Sequence, residues 1–284
     1  MSRKIFFKRM WKSHFFKIGL LGLILILVSC FVLPVLVQWD PTKTVLSDKY
    51  IPPEGLKNGF RGHVLGTDPL GRDMLARLLI GGQYSLRLAL TAVAFQALVG
   101  SSLGIIAGYY GGNVDMIIMR ACDAMMTMPS LLLAIVIMAV FGTSERNLLV
   151  VLTITSWVRL CKVTRNSVRL VKQQEFVLAS RALGAKGPHI MFKRILPNTT
   201  TNIIIQTSQA FGIMILMEAS LSYLNLGIQP PAPSWGNMIS AGRIHLATQP
   251  YLVIVPGIAL MITVLSFNFL GDGIRDILDT KRKI

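Results

Sequence analysis

The chain has 284 residues, of which 52% are hydrophobic and 15% charged, with a mean hydropathy of +0.58. A soluble domain carries about 25% charged residues, so this balance argues against an ordinary soluble fold. The net charge of +16 comes from 29 Lys and Arg against 13 Asp and Glu; because the basic residues fall between apolar runs, it points to membrane topology and away from nucleic acid.

Taken in order, the first apolar run is Ile18–Val37. Leu27-Val28-Ser29-Cys30 resembles a lipoprotein cleavage box, but the run continues through Phe31-Val32-Leu33-Pro34-Val35-Leu36-Val37. A signal-peptide core is about 7–15 residues and a spanning helix about 20, so a retained helix is expected. The second run is Leu88–Tyr109, the third lies within Ala124–Ser144, and the fourth starts at Asn147 and must pass Arg159, whose long side chain is expected to reach for the interface. The fifth lies within Thr199–Met217 and the sixth within Tyr251–Leu270. Lipid leaves no partner for open backbone groups, and no barrel-like alternation is present. The expected fold is an all-α integral membrane protein of about six transmembrane helices.

Lys and Arg set the orientation. Residues 1–17 carry Arg3, Lys4, Lys8, Arg9, Lys12 and Lys17 and no acid, which places a basic N-terminus in the cytoplasm. Six spans then put the loop from Arg159 to Asn198, and the 273–284 tail with Lys281-Arg282-Lys283, on the same side. Residues 38–86, of mixed charge, are expected outside. The organisation read from sequence is therefore a first helix at 18–37, an external loop at 38–86 and a five-helix core at 87–272 containing a cytoplasmic loop at 162–198.

The chain has no GxxxxGK[ST] loop or HExxH, so no catalysis and no cofactor of its own are expected. Cys30, Cys122 and Cys161 fit no disulfide or metal spacing and read as packing residues, and the four histidines are scattered. Gly100, Gly104 and Gly108 make one smooth helix face; packing within the chain is the expected use, contact with a partner subunit the alternative. The spacing lets Arg120 and Asp123 pair on one helix face. Glu218, ending the fifth run, is expected near an interface or paired. In the cytoplasmic loop, residues from Lys172 to Ala182 favour helix, Gly184 and Gly187 break it, and Pro188 suits the first turn of a short helix running toward Pro197. Small Ala179, Ser180, Ala182 and Ala185 would leave a shallow surface flanked by Arg181 and Lys186. Such a surface suits docking into a groove on another protein as well as it suits a solvated basic loop.

Glu175-Phe176-Val177-Leu178-Ala179-Ser180-Arg181-Ala182-Leu183-Gly184, followed by Ile195-Leu196-Pro197-Asn198, resembles the cytoplasmic coupling motif of ABC importer permeases. Three further blocks resemble the C-type subunit of the dipeptide/oligopeptide/nickel permease family: Gly66-Thr67-Asp68-Pro69-Leu70-Gly71-Arg72-Asp73; Ala107-Gly108-Tyr109-Tyr110-Gly111-Gly112 with Met119-Arg120 and Asp123; and Glu218-Ala219-Ser220-Leu221-Ser222-Tyr223-Leu224 with Pro230-Pro231-Ala232-Pro233-Ser234-Trp235-Gly236. Leu178 stands where the motif's Glu is usual, Ser180 where its second Ala is, and Asn225 where a glycine is common.

The resemblance implies a bacterial cell-membrane permease working with a B-type permease subunit, two cytoplasmic ATPases that bind ATP and Mg, and an external substrate-binding protein. It also implies that Glu175, Ala179, Ser180, Arg181, Ala182, Gly184 and Gly187 couple to the ATPases, with Gly184 permitting the turn and a close approach and Arg181 a polar contact. Peptide is the expected cargo, nickel or a metal–chelator complex the alternative. A stand-alone transporter or channel would need a central acid or filter that no span shows, and a membrane enzyme would need clustered catalytic residues.

Overall fold

The computed structural model describes residues 13–37, 40–55 and 63–278. The basic cluster Arg3–Lys12 and the tail Lys281-Arg282-Lys283 lie outside the described residues. The described chain is helical, with one isolated bridge, Thr67 to Asp73, as its strand-like pairing.

The helices are α1 (His14–Leu36), α2 (Met74–Tyr110), α3 (Gly112–Met126), α4 (Ser130–Phe141), α5 (Glu145–Lys172), α6 (Glu175–Ala182), α7 (Gly187–Tyr223), α8 (Trp235–Gly242) and α9 (Tyr251–Leu278). Five of them, α1, α2, α5, α7 and α9, are long and apolar enough to cross a membrane, and the bent pair α3–α4 makes a sixth crossing if it is one broken span.

Polar side chains open the helices. Asp73 accepts from the Ala76 amide at 2.8 Å and Ser144 from Asn147 at 3.1 Å. Ser234 and Asn237 cap α8 reciprocally, satisfying amides that have no intrahelical partner. Within α1, a π turn at Val28–Val32 precedes Pro34. Proline has no N–H for the carbonyl four residues back, and that carbonyl, of Cys30, instead accepts from Gln83 of α2 at 2.6 Å.

Three boundaries differ from the sequence reading. Helix α2 begins at Met74, inside the stretch read as external loop. Its early charges are accommodated: Arg77 lies 3.5 Å from Asp68, and Arg87 sits 5.5 Å over the Phe31 ring. The third run is not one straight span, because the chain bends 85° between α3 and α4. Pro129 stands at the break and the Thr127 hydroxyl donates to the Ala124 carbonyl, closing α3; α4 alone is about 18 Å long at 1.5 Å per residue. The short helix after Pro188 does not stop at Pro197. It passes through a π turn at Met191–Ile195 and joins the fifth span, Pro197 being tolerated because the turn before it is already widened.

The glycine face of α2 packs on α5 within the chain. A Cβ on Gly100, Gly104 or Gly108 would lie 2.8, 2.6 or 2.8 Å from the backbone oxygens of Trp157, Cys161 and Arg165. On the other flank, α1 lies against α9, where Phe15 stacks on Phe269 at 5.7 Å, and α7 meets α9 through Phe211 and Phe267, 3.6 Å apart. Cys30, Cys122 and Cys161 are buried free thiols in these contacts.

Candidate functional site

Helix α6 lies between α5 and α7 in the chain and shares a buried cluster with both. Val177 and Ser180 face inward; Val177 packs with Ile105 of α2, Val168 of α5, and Ile190 and Ile195 of α7. Ser180 is therefore not on the presented surface, and its hydroxyl donates to the Phe176 carbonyl at 2.8 Å. Outward face Glu175, Ala179, Arg181 and Ala182, with apolar Phe176 (43% exposed), Leu178 (51%) and Leu183 (88%) beside them. A solvated loop would hide such side chains; here the apolar residues point away from the chain's own core.

The turn that ends α6 is a glycine C-cap. The Ala185 amide donates to the Ser180 carbonyl at 3.1 Å and the Gly184 amide to the Arg181 carbonyl at 3.0 Å, the paired bonds of a Schellman ending. Gly184 has φ +80, and a Cβ there would meet nothing within 4 Å. Its requirement in this chain is conformational, so the close approach expected at Gly184 is not made within the chain. Gly187 makes one instead: its Cβ would lie 3.1 Å from the Tyr109 hydroxyl. Tyr109 also receives Lys172, whose ammonium donates to the Tyr109 carbonyl and lies 5.5 Å from its ring.

Ion pairs fasten α3 to α5. Arg165 holds Asp115 through two hydrogen bonds, and Lys162 holds Asp123 at 2.9 Å. Asp123 thus takes its partner from across the helix pair and not from Arg120, as helical spacing suggested.

Beside this seam the α3–α4 bend opens a cleft of about 710 Å³, walled by α5 and α7 and floored by Gln96 of α2. Its lining has no His, Cys or acid and is rich in methionine. Arg159, expected to reach for the interface, lines this cleft.

At the end of the bundle that carries residues 40–73, Asp68 is 4% exposed and accepts from the Leu70 and Arg72 amides at 2.8 and 3.0 Å and from Arg72 Nε at 2.6 Å. Tyr251 donates to the Thr67 carbonyl at 2.7 Å, tying the segment to α9. Glu218 is fully buried within the chain, and Ser222 donates to its Oε1 at 2.7 Å. Asn225 has φ +61 at the end of α7, with Leu226 donating to Leu221 at 2.8 Å and Asn225 to Ser222 at 3.0 Å. It repeats the Gly184 cap with the residue that best tolerates this conformation after glycine.

Comparison with known proteins accords with this architecture. The family model for the binding-protein-dependent transport system inner membrane component matches residues 100–284. The dipeptide transport system permease protein DppC of Alkalihalophilus pseudofirmus is 38% identical over 281 residues, covering 98% of this chain and 89% of that protein. The glutathione transport system permease protein GsiD of Pectobacterium atrosepticum is 36% identical, covering 98% and 91%. The di/tripeptide transport system permease protein DppC of Pseudomonas aeruginosa is 36% identical, covering 97% and 92%. Among solved structures, the MetNI methionine ABC transporter in inward-facing conformations aligns with TM-score 0.61 at 16% identity, over 72% of this chain and 97% of that one. An amino acid ABC transporter with histidines aligns at 0.53 and 17%, over 69% and 91%. At such identities the structures speak for the fold alone. The family match and the near full-length relatives turn the resemblance of the four sequence blocks into membership: the chain belongs to the binding-protein-dependent transport system inner membrane component family and is a permease subunit of an ABC importer.

Proposed function

We propose that this chain forms one half of a peptide translocation pathway in a bacterial cell membrane. A B-type permease subunit supplies the other half, two cytoplasmic ATPases bind ATP and Mg and drive it, and an external substrate-binding protein delivers the cargo. The chain itself is non-catalytic. Both termini face the cytoplasm, on the side of the basic loop at 162–198. Relatives named for dipeptides, di/tripeptides and glutathione support peptide as the cargo over nickel, and the cleft's lack of His, Cys and acidic side chains accords with that.

The observation that carries the coupling role is the outward apolar face of α6, led by Leu183 at 88% exposure. Its inward face explains transmission. Val177 is packed against α2, α5 and α7 together, so a push on α6 is delivered to three spans at once. ATP binding favours one of two packings of the spans by holding α6 in one position.

The test is affinity purification of the tagged chain from its native membranes in mild detergent. The wild type is expected to bring both ATPases and the second permease. Leu183→Asp, on an exposed site where substitutions shift stability by no more than about 0.5 kcal/mol, is expected to lose the ATPases and keep the second permease. Retention of the ATPases with normal transport would refute the role of α6.

A further inference from the structure

The geometry points to Arg159 as the group that receives the carboxylate of the cargo within the membrane, an inference that rests on the peptide reading above. Arg159 lies in the middle of α5, about 21 Å from Glu145 at 1.5 Å per residue. A cation on a span directly after the uncharged stretch Asn147–Val158 is retained for a function or a partner. Among the described residues it has no ion-pair partner: the neighbouring cations are already engaged, Lys162 with Asp123 at 2.9 Å and Arg165 with Asp115. Its side chain is exposed to the cleft, which at about 710 Å³ has the size of a small-ligand site.

The rest of the wall suits a peptide. Met126, Met214 and Met217 offer flexible thioethers, which adapt to side chains of different shape. Gln206 and Gln209 face the cleft from α7. Gln209 spends its amide nitrogen on Asp272 at 3.2 Å, leaving a carbonyl oxygen that can accept a peptide N–H. No acid lines the cleft, so a peptide ammonium finds no counter-charge on this wall while a carboxylate finds the planar guanidinium fork that fits it in two hydrogen bonds. The cargo is therefore oriented with its carboxylate toward this subunit and its ammonium away from it.

The test is binding of trialanine and of trialanine amide to the assembled permease–ATPase complex, purified without the substrate-binding protein so that its own preference does not enter. The wild type is expected to bind the acid about tenfold more tightly than the amide, the worth of one charge-assisted contact. Arg159→Gln is expected to abolish that difference by weakening the acid alone, and Arg159→Lys, which keeps the charge and loses the fork, to reduce it to about threefold. Equal binding of the two peptides by the wild type, binding of neither, or a difference that survives Arg159→Gln would overturn the assignment. Equal weakening of both peptides would do the same and would indicate that Arg159 pairs with an acid of the second permease. If Arg159→Gln does not assemble, Arg159→Lys decides, an unchanged difference being the refuting result. The peptide reading is tested separately by uptake: wild-type complex in vesicles that takes up no peptide from the binding protein defeats that reading, whatever the binding data show.

Discussion

The seam between α2 and α5 makes Gly104→Val the sharpest test of the packing. A Cβ on Gly104 would stand 2.6 Å from the Cys161 carbonyl oxygen and 2.7 Å from Thr164 Cβ, against about 3.5–4.0 Å for an ordinary carbon contact. Neither neighbour is the free end of a flexible side chain, so the helices must part by close to 1 Å. Parting loosens the contacts at Gly100 and Gly108 as well, since a gap of that size forfeits about a quarter to a half of each contact's attraction. Overpacking costs about 1–3 kcal/mol; valine, branched at Cβ, falls at the top of that range, and its gain in helix propensity over glycine is only a few tenths. A loss of about 3 kcal/mol follows, which lowers the melting temperature of a chain this size by about 5–10 °C. The assay is the fraction remaining monodisperse after heating in mild detergent. Gly257→Val is the control: it makes the same chemical change on a spanning helix where a Cβ meets nothing within 4 Å. The packing argument fails if Gly104→Val melts with the wild type, or if Gly257→Val falls as far.

Asp68→Ala is expected to cost about 3–5 kcal/mol by leaving Arg77, 6% exposed, without its acid; a melting temperature within 2–3 °C of wild type, corresponding to about 1 kcal/mol, would contradict this. Gly184→Ala introduces no clash and strains only the backbone, by about 1–2 kcal/mol. It should raise hydrogen exchange at the Ala185 amide and lower the melting temperature by about 2–6 °C, and unchanged exchange would show that the cap does not hold the turn. Asn225→Gly should be neutral, whereas Asn225→Val should destabilise by at least about 1–2 kcal/mol; equal melting of the two variants would remove the conformational reading of that site.

What was legible in the sequence followed from signals that are local along the chain. Uncharged runs gave the spans, and Gly184 with Pro188 gave the turn and helix start that the structure shows. The departures arose where a partner distant in sequence decides. Helix α2 was truncated because Arg77 and Arg87 end a charge-free window, yet Asp68 and the Phe31 ring accommodate both. Asp123 has Arg120 at helical spacing but takes Lys162 from α5, since two helices in contact offer a better-placed cation than one helix offers itself. Counting uncharged residues is also blind to Pro129, so a run long enough to span concealed an 85° bend.

That bend connects the two proposed functional regions. The bend residues Met125–Ser130 line the same cleft as Arg159 and the methionines of α7. Arg165 and Lys162 hold α3 to α5 beside it. Helix α5 carries Arg159 in its middle, Val168 in the cluster under α6 near its end and the glycine face of α2 along its second half. Because the α2–α5 seam is too tight to slide without clashes, a displacement imposed at α6 moves both helices together and changes the cleft as it does so. A variant that loosens the seam without touching either region, such as Gly104→Ala, should therefore weaken the dependence of transport on ATP hydrolysis while the ATPases stay bound. ATP turnover per peptide moved is the quantity that shows it, and an unchanged ratio would mean that the two helices do not transmit the stroke as one body.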